Sequence, residues 1–137
     1  MVELGRRLAA DLRTGDVVLL HGDLGAGKTT LTQGIALGLG IDEPIQSPTF
    51  TLVAEHAGRE DRGWPLALHH LDLYRLEGPD ELDSIGYDQY LAPEDGVTIV
   101  EWPERAGDWL PDRFWLVRIE IAGTGGRRVT ISRYQLE

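Results

Sequence analysis

Leu4, Leu8 and Leu12 recur every four residues and predict a short amphipathic helix, closed by the turn Thr14-Gly15-Asp16. The apolar, β-branched run at residues 17–20 reads as a buried strand. Leu31, Ile35 and Leu39 share one face of a helix predicted to begin after Thr29, with Gly40 and Pro44 as its stop signals. Thr49, Thr51 and Val53 alternate with Phe50, Leu52 and Ala54, which predicts a strand. A polar loop around Gly58 and Gly63 leads to a second apolar run at residues 66–72. That loop is too short for a helical crossover, so the two strands are expected to pair antiparallel. Residues 79–85 then predict a short helix stopped by Gly86, and residues 97–100 a buried strand ending on Glu101. A helical turn or loop at residues 102–110 closes at Pro111. Residues 114–121 and 127–132 predict a hairpin around Gly123-Thr124-Gly125-Gly126. Strands interleaved with helices make this an α/β chain.

The first strand and the second helix flank His21-Gly22-Asp23-Leu24-Gly25-Ala26-Gly27-Lys28-Thr29-Thr30, in which Gly22, Gly27, Lys28 and Thr29 satisfy the phosphate-loop spacing G-x-x-x-x-G-K-[ST]. A chain of this length matches that spacing by accident on the order of 0.5 % of the time, so the strand and helix on either side decide in its favour. Gly22, Gly25 and Gly27 allow successive backbone N–H groups to turn inward on an anion, and the helix start adds its positive dipole end. Lys28 then reaches phosphate oxygens as a point charge, and the Thr29 hydroxyl is placed for Mg²⁺. This pattern marks a nucleoside triphosphate site.

Composition narrows the setting. With 137 residues, 42 % of them apolar, the chain is expected to form one domain, residues 1–137, with a real core. No apolar run is long enough to span a membrane, and the start lacks the apolar stretch of a secretory signal. The absence of cysteine fits an intracellular protein. Lys28 is the sole lysine among 13 basic residues, which suggests that lysine is avoided except where its chemistry is required. A net charge of −10 argues against gripping nucleic acid through its backbone. Between Glu77 and Asp112 there are 11 acidic residues against Arg105 alone. That stretch is either a solvated surface or a docking face for a basic partner.

A nucleotide site also needs carboxylates. Asp72 and Glu101 each stand where an apolar run ends, and ligands of open α/β sheets bind beyond the carboxyl ends of strands. One acid is expected to hold the metal and the other to orient or deprotonate the attacking water, unless either merely caps a strand or pairs with Arg75 or Arg105. His21, His69 and His70 read first as packed, hydrogen-bonded strand or loop residues. His70 and Asp72, two apart, face one way without a third metal ligand. Trp64, Trp102, Trp109 and Trp115 read as core or interface residues.

Taken together, the phosphate-loop segment, Ser47-Pro48-Thr49-Phe50-Thr51-Leu52, His70-Leu71-Asp72-Leu73-Tyr74-Arg75-Leu76 and Val100-Glu101-Trp102-Pro103-Glu104 resemble the signature blocks of the TsaE family. Members of that family are small ATPases required for threonylcarbamoyl-adenosine modification of tRNA. The resemblance implies a P-loop NTPase-like, mostly parallel sheet with flanking helices, to which the two antiparallel pairs are additions. It implies ATP and Mg²⁺ as ligands, with Thr29 and Glu101 near the metal and Asp72 in the nucleotide site. By the same match Gly22, Asp23, Gly25, Ala26, Gly27, Lys28, Thr29 and Thr30 hold the nucleotide. Thr49 lies in a switch-like segment over the γ-phosphate, and Trp102 is implicated in activity. Arg127 or Arg128 is expected near the nucleotide. Family members usually carry further residues ahead of the first helix, so a truncated N-terminus is an expectation as well.

The implied partners are the TsaB–TsaD pair, reset by ATP hydrolysis between cycles, with little or no direct tRNA binding, no membrane and a cytoplasmic location. Hydrolysis by the chain alone is expected to be feeble, because apart from Arg75 no obvious arginine finger lies close to the motifs and partners often complete such sites. A small-molecule kinase needs an acceptor pocket and lid for which the chain has no insertion. A switch GTPase needs an N-K-x-D segment, which a chain with Lys28 as its sole lysine cannot supply. A non-catalytic, ATP-gated adaptor remains the competing reading.

Overall fold

The computed structural model describes residues 1–23, 25–45, 52–60, 62–78, 80–107 and 109–135. Helix α1 (Val2–Asp11) leads into β1 (Val17–Gly22), and α2 (Lys28–Gly38) follows the phosphate loop. The hairpin β2 (Val53–Arg59) and β3 (Pro65–Asp72) comes next, then α3 (Asp80–Ile85), α4 (Tyr87–Tyr90) and β4 (Gly96–Glu101). A 3-10 turn (Pro103–Ala106) precedes the hairpin β5 (Arg113–Ile121) and β6 (Arg127–Gln135). The six strands form one sheet in the order β2-β3-β4-β1-β5-β6. Strands β3, β4, β1 and β5 run parallel, and β2 and β6 add antiparallel edges. The α/β, mostly parallel architecture expected from the motifs is the one observed.

Alternation along the central strands sorts their side chains between two layers. Val18 and Leu20 of β1, Leu68 of β3 and Ile99 of β4 pack under α1 and α2 against Leu8, Leu31, Ile35 and Leu39. Val17, Leu19, Leu71 and Val100 face the opposite way, toward Leu82 of α3 and Tyr87 of α4. Each fully buried leucine or isoleucine contributes roughly 1.5–3 kcal/mol. Helices α1 and α2 approach backbone to backbone: a Cβ on Gly5 would stand 2.5 Å from the Leu31 carbonyl oxygen, and one on Gly34 would strike the Val2 carbonyl.

One sequence expectation needs correction. Strand β2 starts at Val53 and runs on through Gly58 to Arg59, so the connecting loop is shorter than its polar composition suggested. Gly58 is a strand residue because a Cβ there would lie 2.6 Å from the Leu39 carbonyl oxygen, and the Arg59 N–H donates to that same oxygen. The strand expected from residue 49 lies outside the described residues up to Thr51. Gly86, expected to end a helix, does so at φ 71° and then opens α4. Among the described residues no helix is long and apolar enough to cross a membrane.

Candidate functional site

Strands β1, β3 and β4 end side by side, because parallel pairing aligns their carboxyl termini. Leu20 is in register with Glu101, and Glu101 with Asp72, so the start of the phosphate loop and both acids share one edge. Gly25 (φ 82°) and Gly27 (φ 114°) take left-handed backbone that other residues rarely adopt. Gly27 caps α2, which leaves the first N–H groups of that helix directed into the loop.

Lys28 opens α2 and is buried. Its Nζ donates to the Gly22 carbonyl at 2.5 Å and sits 3.2 Å from the centre of the Trp102 ring. Burial lowers its pKa below the ordinary lysine value of 10.5, against the opposing pull of Glu101, Glu104, Asp72 and Asp23. An ammonium stripped of water in this way is a receptor for an anion. Trp102 reaches it from a left-handed backbone (φ 62°, ψ 48°) that turns the chain directly after Glu101. The ring of Tyr74 supports Trp102 at 5.0 Å between centroids.

Glu101 is 2 % exposed. The Thr29 hydroxyl donates to Oε1 at 3.4 Å, and His70 Nε2 stands 2.5 Å from Oε2. Neither acid pairs with Arg75 or Arg105 in any observed contact. Asp72 instead accepts the Tyr74 N–H through Oδ1 at 3.0 Å, an Asx turn that fixes its carboxylate at the end of β3. A cleft of about 270 Å³ joins Gly25, Gly27, Lys28, Asp72, Glu101 and Trp102. A hydroxyl beside a buried carboxylate, with a second carboxylate one strand away, is an oxygen donor set suited to Mg²⁺. Left-handed glycines, a helix start and a desolvated lysine suit a polyphosphate. A larger hollow of about 630 Å³, lined by Glu55, His69, Tyr90 and Asp95, offers neither loop nor lysine.

A family model described as threonylcarbamoyl adenosine biosynthesis protein TsaE matches residues 1–129. The chain belongs to the TsaE family. The tRNA threonylcarbamoyladenosine biosynthesis protein TsaE of Bacillus subtilis is 39% identical over 137 residues, covering 97% of this chain and 82% of that protein. Its namesake from Streptomyces coelicolor is 46% identical over 123 residues, covering 89% of this chain and 80% of that protein. The crystal structure of Bacillus subtilis YdiB superposes with a TM-score of 0.70 at 35% identity, over 95% of this chain and 76% of that one.

In this TsaE-family chain Gly22, Gly25, Gly27, Lys28, Thr29, Asp72, Glu101 and Trp102 are brought together at the strand ends, while the Ala26 side chain is buried in the core beneath the loop. Thr30 lines the same cleft and is exposed, as is Asp23 in the loop. Thr49 lies outside the described residues. The hairpin arginines separate: Arg127 donates through Nε to the Ala26 carbonyl at 3.0 Å and through Nη2 to the Gly25 carbonyl at 3.4 Å, bracing the loop from outside. Arg128, the other residue of that expectation, is exposed in register with Glu120, because alternation turns adjacent strand residues to opposite faces.

His70 is packed and hydrogen-bonded as expected, but its partner Glu101, the place of Tyr74 and the bracing role of Arg127 were not foreseen. Alternation puts His70, Asp72 and Tyr74 on one side, which was the available signal for the first two. Nothing local signals Arg127, about a hundred residues from the carbonyls it holds.

Proposed function

We propose that this chain binds Mg-ATP at the phosphate loop and hydrolyses it slowly, as an ATPase serving threonylcarbamoyl-adenosine modification of tRNA through a TsaB–TsaD complex. The observation that carries the nucleotide reading is the convergence of Lys28, Thr29, Asp72 and Glu101 on one cleft at the strand ends. The tRNA-modification reading rests on family membership and on the names of the relatives.

The loop N–H groups and Lys28 bind the phosphate oxygens, with Trp102 keeping water from the ammonium. Thr29 and Glu101 would hold Mg²⁺, which when bound offsets phosphate charge. Asp72 has Oδ1 tied to the Tyr74 N–H and directs its other oxygen to position the attacking water. Arg127 spends its donors on loop carbonyls and Arg75 is exposed, so neither of these is set to stabilise charge in the transition state. That arrangement favours slow turnover alone and completion of the site by the partner complex. A net charge of −10 goes with docking on protein rather than on tRNA, in the cytoplasm.

Mg-ATP hydrolysis by the chain alone, and with purified TsaB–TsaD, tests the reading beside Lys28→Ala and Glu101→Ala. Weak turnover, raised by the complex and absent from both variants, is expected. ATP-dependent docking without turnover in any mixture would establish the adaptor instead, and failure to bind ATP overturns the proposal.

A further inference from the structure

Glu101 is a carboxylate held almost out of water, a placement that is unfavourable unless each oxygen finds a donor. Oε1 has the Thr29 hydroxyl at 3.4 Å and Oε2 has His70 Nε2 at 2.5 Å. His70 is 0 % exposed and comes from β3, two residues before Asp72, so its ring lies one rung deeper than the acid that ends the strand. The ring crosses to β4 on the diagonal, since His70 is in register with Ile99 and Asp72 with Glu101.

A carboxylate only accepts, so the proton in this contact is on Nε2. Nδ1 is buried and finds no partner among the described residues. A fully buried imidazole with one polar contact is a poor choice for packing alone, because an apolar residue of similar volume would leave nothing unsatisfied. Its single partner therefore accounts for its presence. His69, next in the chain, points to the opposite face, where Nε2 meets Asp95 at 2.9 Å; the two histidines are not interchangeable.

We propose that His70 is a positioning residue for the reaction: it clamps Oε2 of Glu101 from beneath the cleft and so presents Oε1, beside the Thr29 hydroxyl, for Mg²⁺. The assignment rests on the nucleotide and metal reading of the cleft given above. Without the clamp the Glu101 side chain is free to rotate away from Thr29, and the two oxygens that would share the metal lose their common orientation. Phosphate binding by the loop and Lys28 does not pass through His70.

The test compares the full chain with His70→Leu and His70→Gln, the latter carrying an amide nitrogen near the place of Nε2. A crystal structure of His70→Leu is expected to show the Glu101 carboxylate turned away from Thr29; a carboxylate left in place overturns the proposal. Calorimetric titration of ATP in EDTA and in Mg²⁺ separates the loop from the metal. Affinity in EDTA is expected to be nearly unchanged in His70→Leu, while the gain that Mg²⁺ adds falls roughly ten- to a hundredfold, and His70→Gln restores most of it. Equal Mg²⁺ dependence in all three proteins overturns the assignment. Where leucine prevents folding, His70→Asn, too short to reach Oε2, takes its place in both measurements with the same expected losses. Absence of ATP binding by the unsubstituted chain defeats the nucleotide reading instead, and the position of Glu101 in the variant structure still decides the clamp.

Discussion

Lys28 carries the ammonium of the chain's sole lysine into a buried position, where its contacts are the Gly22 carbonyl and the Trp102 ring. Desolvation outweighs the surrounding carboxylates and lowers its pKa, so in the ligand-free chain the charge opposes folding. Between the lowered value and 10.5 the unfolded chain binds more protons than the folded one, and stability therefore rises with pH across that window. Lys28→Met keeps most of the packing and removes the charge. It is expected to raise the ligand-free Tm at pH 7, because the desolvated charge is gone. The gap from the unsubstituted chain should narrow as pH climbs toward 10.5, and thermal scans over pH check it. ATP should raise the Tm of the unsubstituted chain and leave that of the variant where it was.

At the scale of elements, the contact of α1 with α2 sets where α2 lies and so where the phosphate loop ends. Gly5 and Gly34 place bare backbone at the crossing, and a Cβ on Gly38 would stand 2.5 Å from that of Ala9. Three glycines thus bring the helices closer than side chains permit. Their low helix propensity, which weakens α2 in isolation, is offset by the packing they allow. Gly34→Ala would be helix-favouring on an exposed face. Here it should destabilise by about 1–3 kcal/mol, because the Val2 carbonyl must move and α2 starts at the lysine of the site. Urea unfolding measures the loss, and a neutral or stabilising result would mean the helices sit farther apart.

Over the whole molecule, acidic residues dominate the chain between β3 and β5, while arginine dominates the last hairpin. Opposed charge between two proteins acts mainly on the rate of encounter and is screened by salt. If the acidic stretch faces a basic partner, association with TsaB–TsaD should slow at least several-fold between ~0.02 M and ~0.3 M salt, with dissociation changing less. Stopped-flow mixing checks this. A rate indifferent to salt would make the stretch a solvated surface.

The phosphate loop, the two strand-ending acids and the α/β class were legible because they depend on neighbours in sequence: a strand, a turn of fixed spacing and a helix. Helical periodicity likewise marked the buried faces of α1 and α2, since Leu8, Leu31 and Ile35 all lie in the core. Gly58 deceived for a physical reason. Its meaning depends on a carbonyl of residue 39 lying against it, and local propensity reads the same glycine as loop. The choice of Arg127 over Arg128 hangs on which face of β6 meets the loop, a matter of register between distant strands. The clamp of His70 on Glu101 needs β3 and β4 to be parallel neighbours with one alignment. Sequence by itself determined the kinds of residue at the site and the local turns that present them. Only the tertiary structure decided which atoms meet, because strand order and register place residues far apart in the chain within hydrogen-bonding distance.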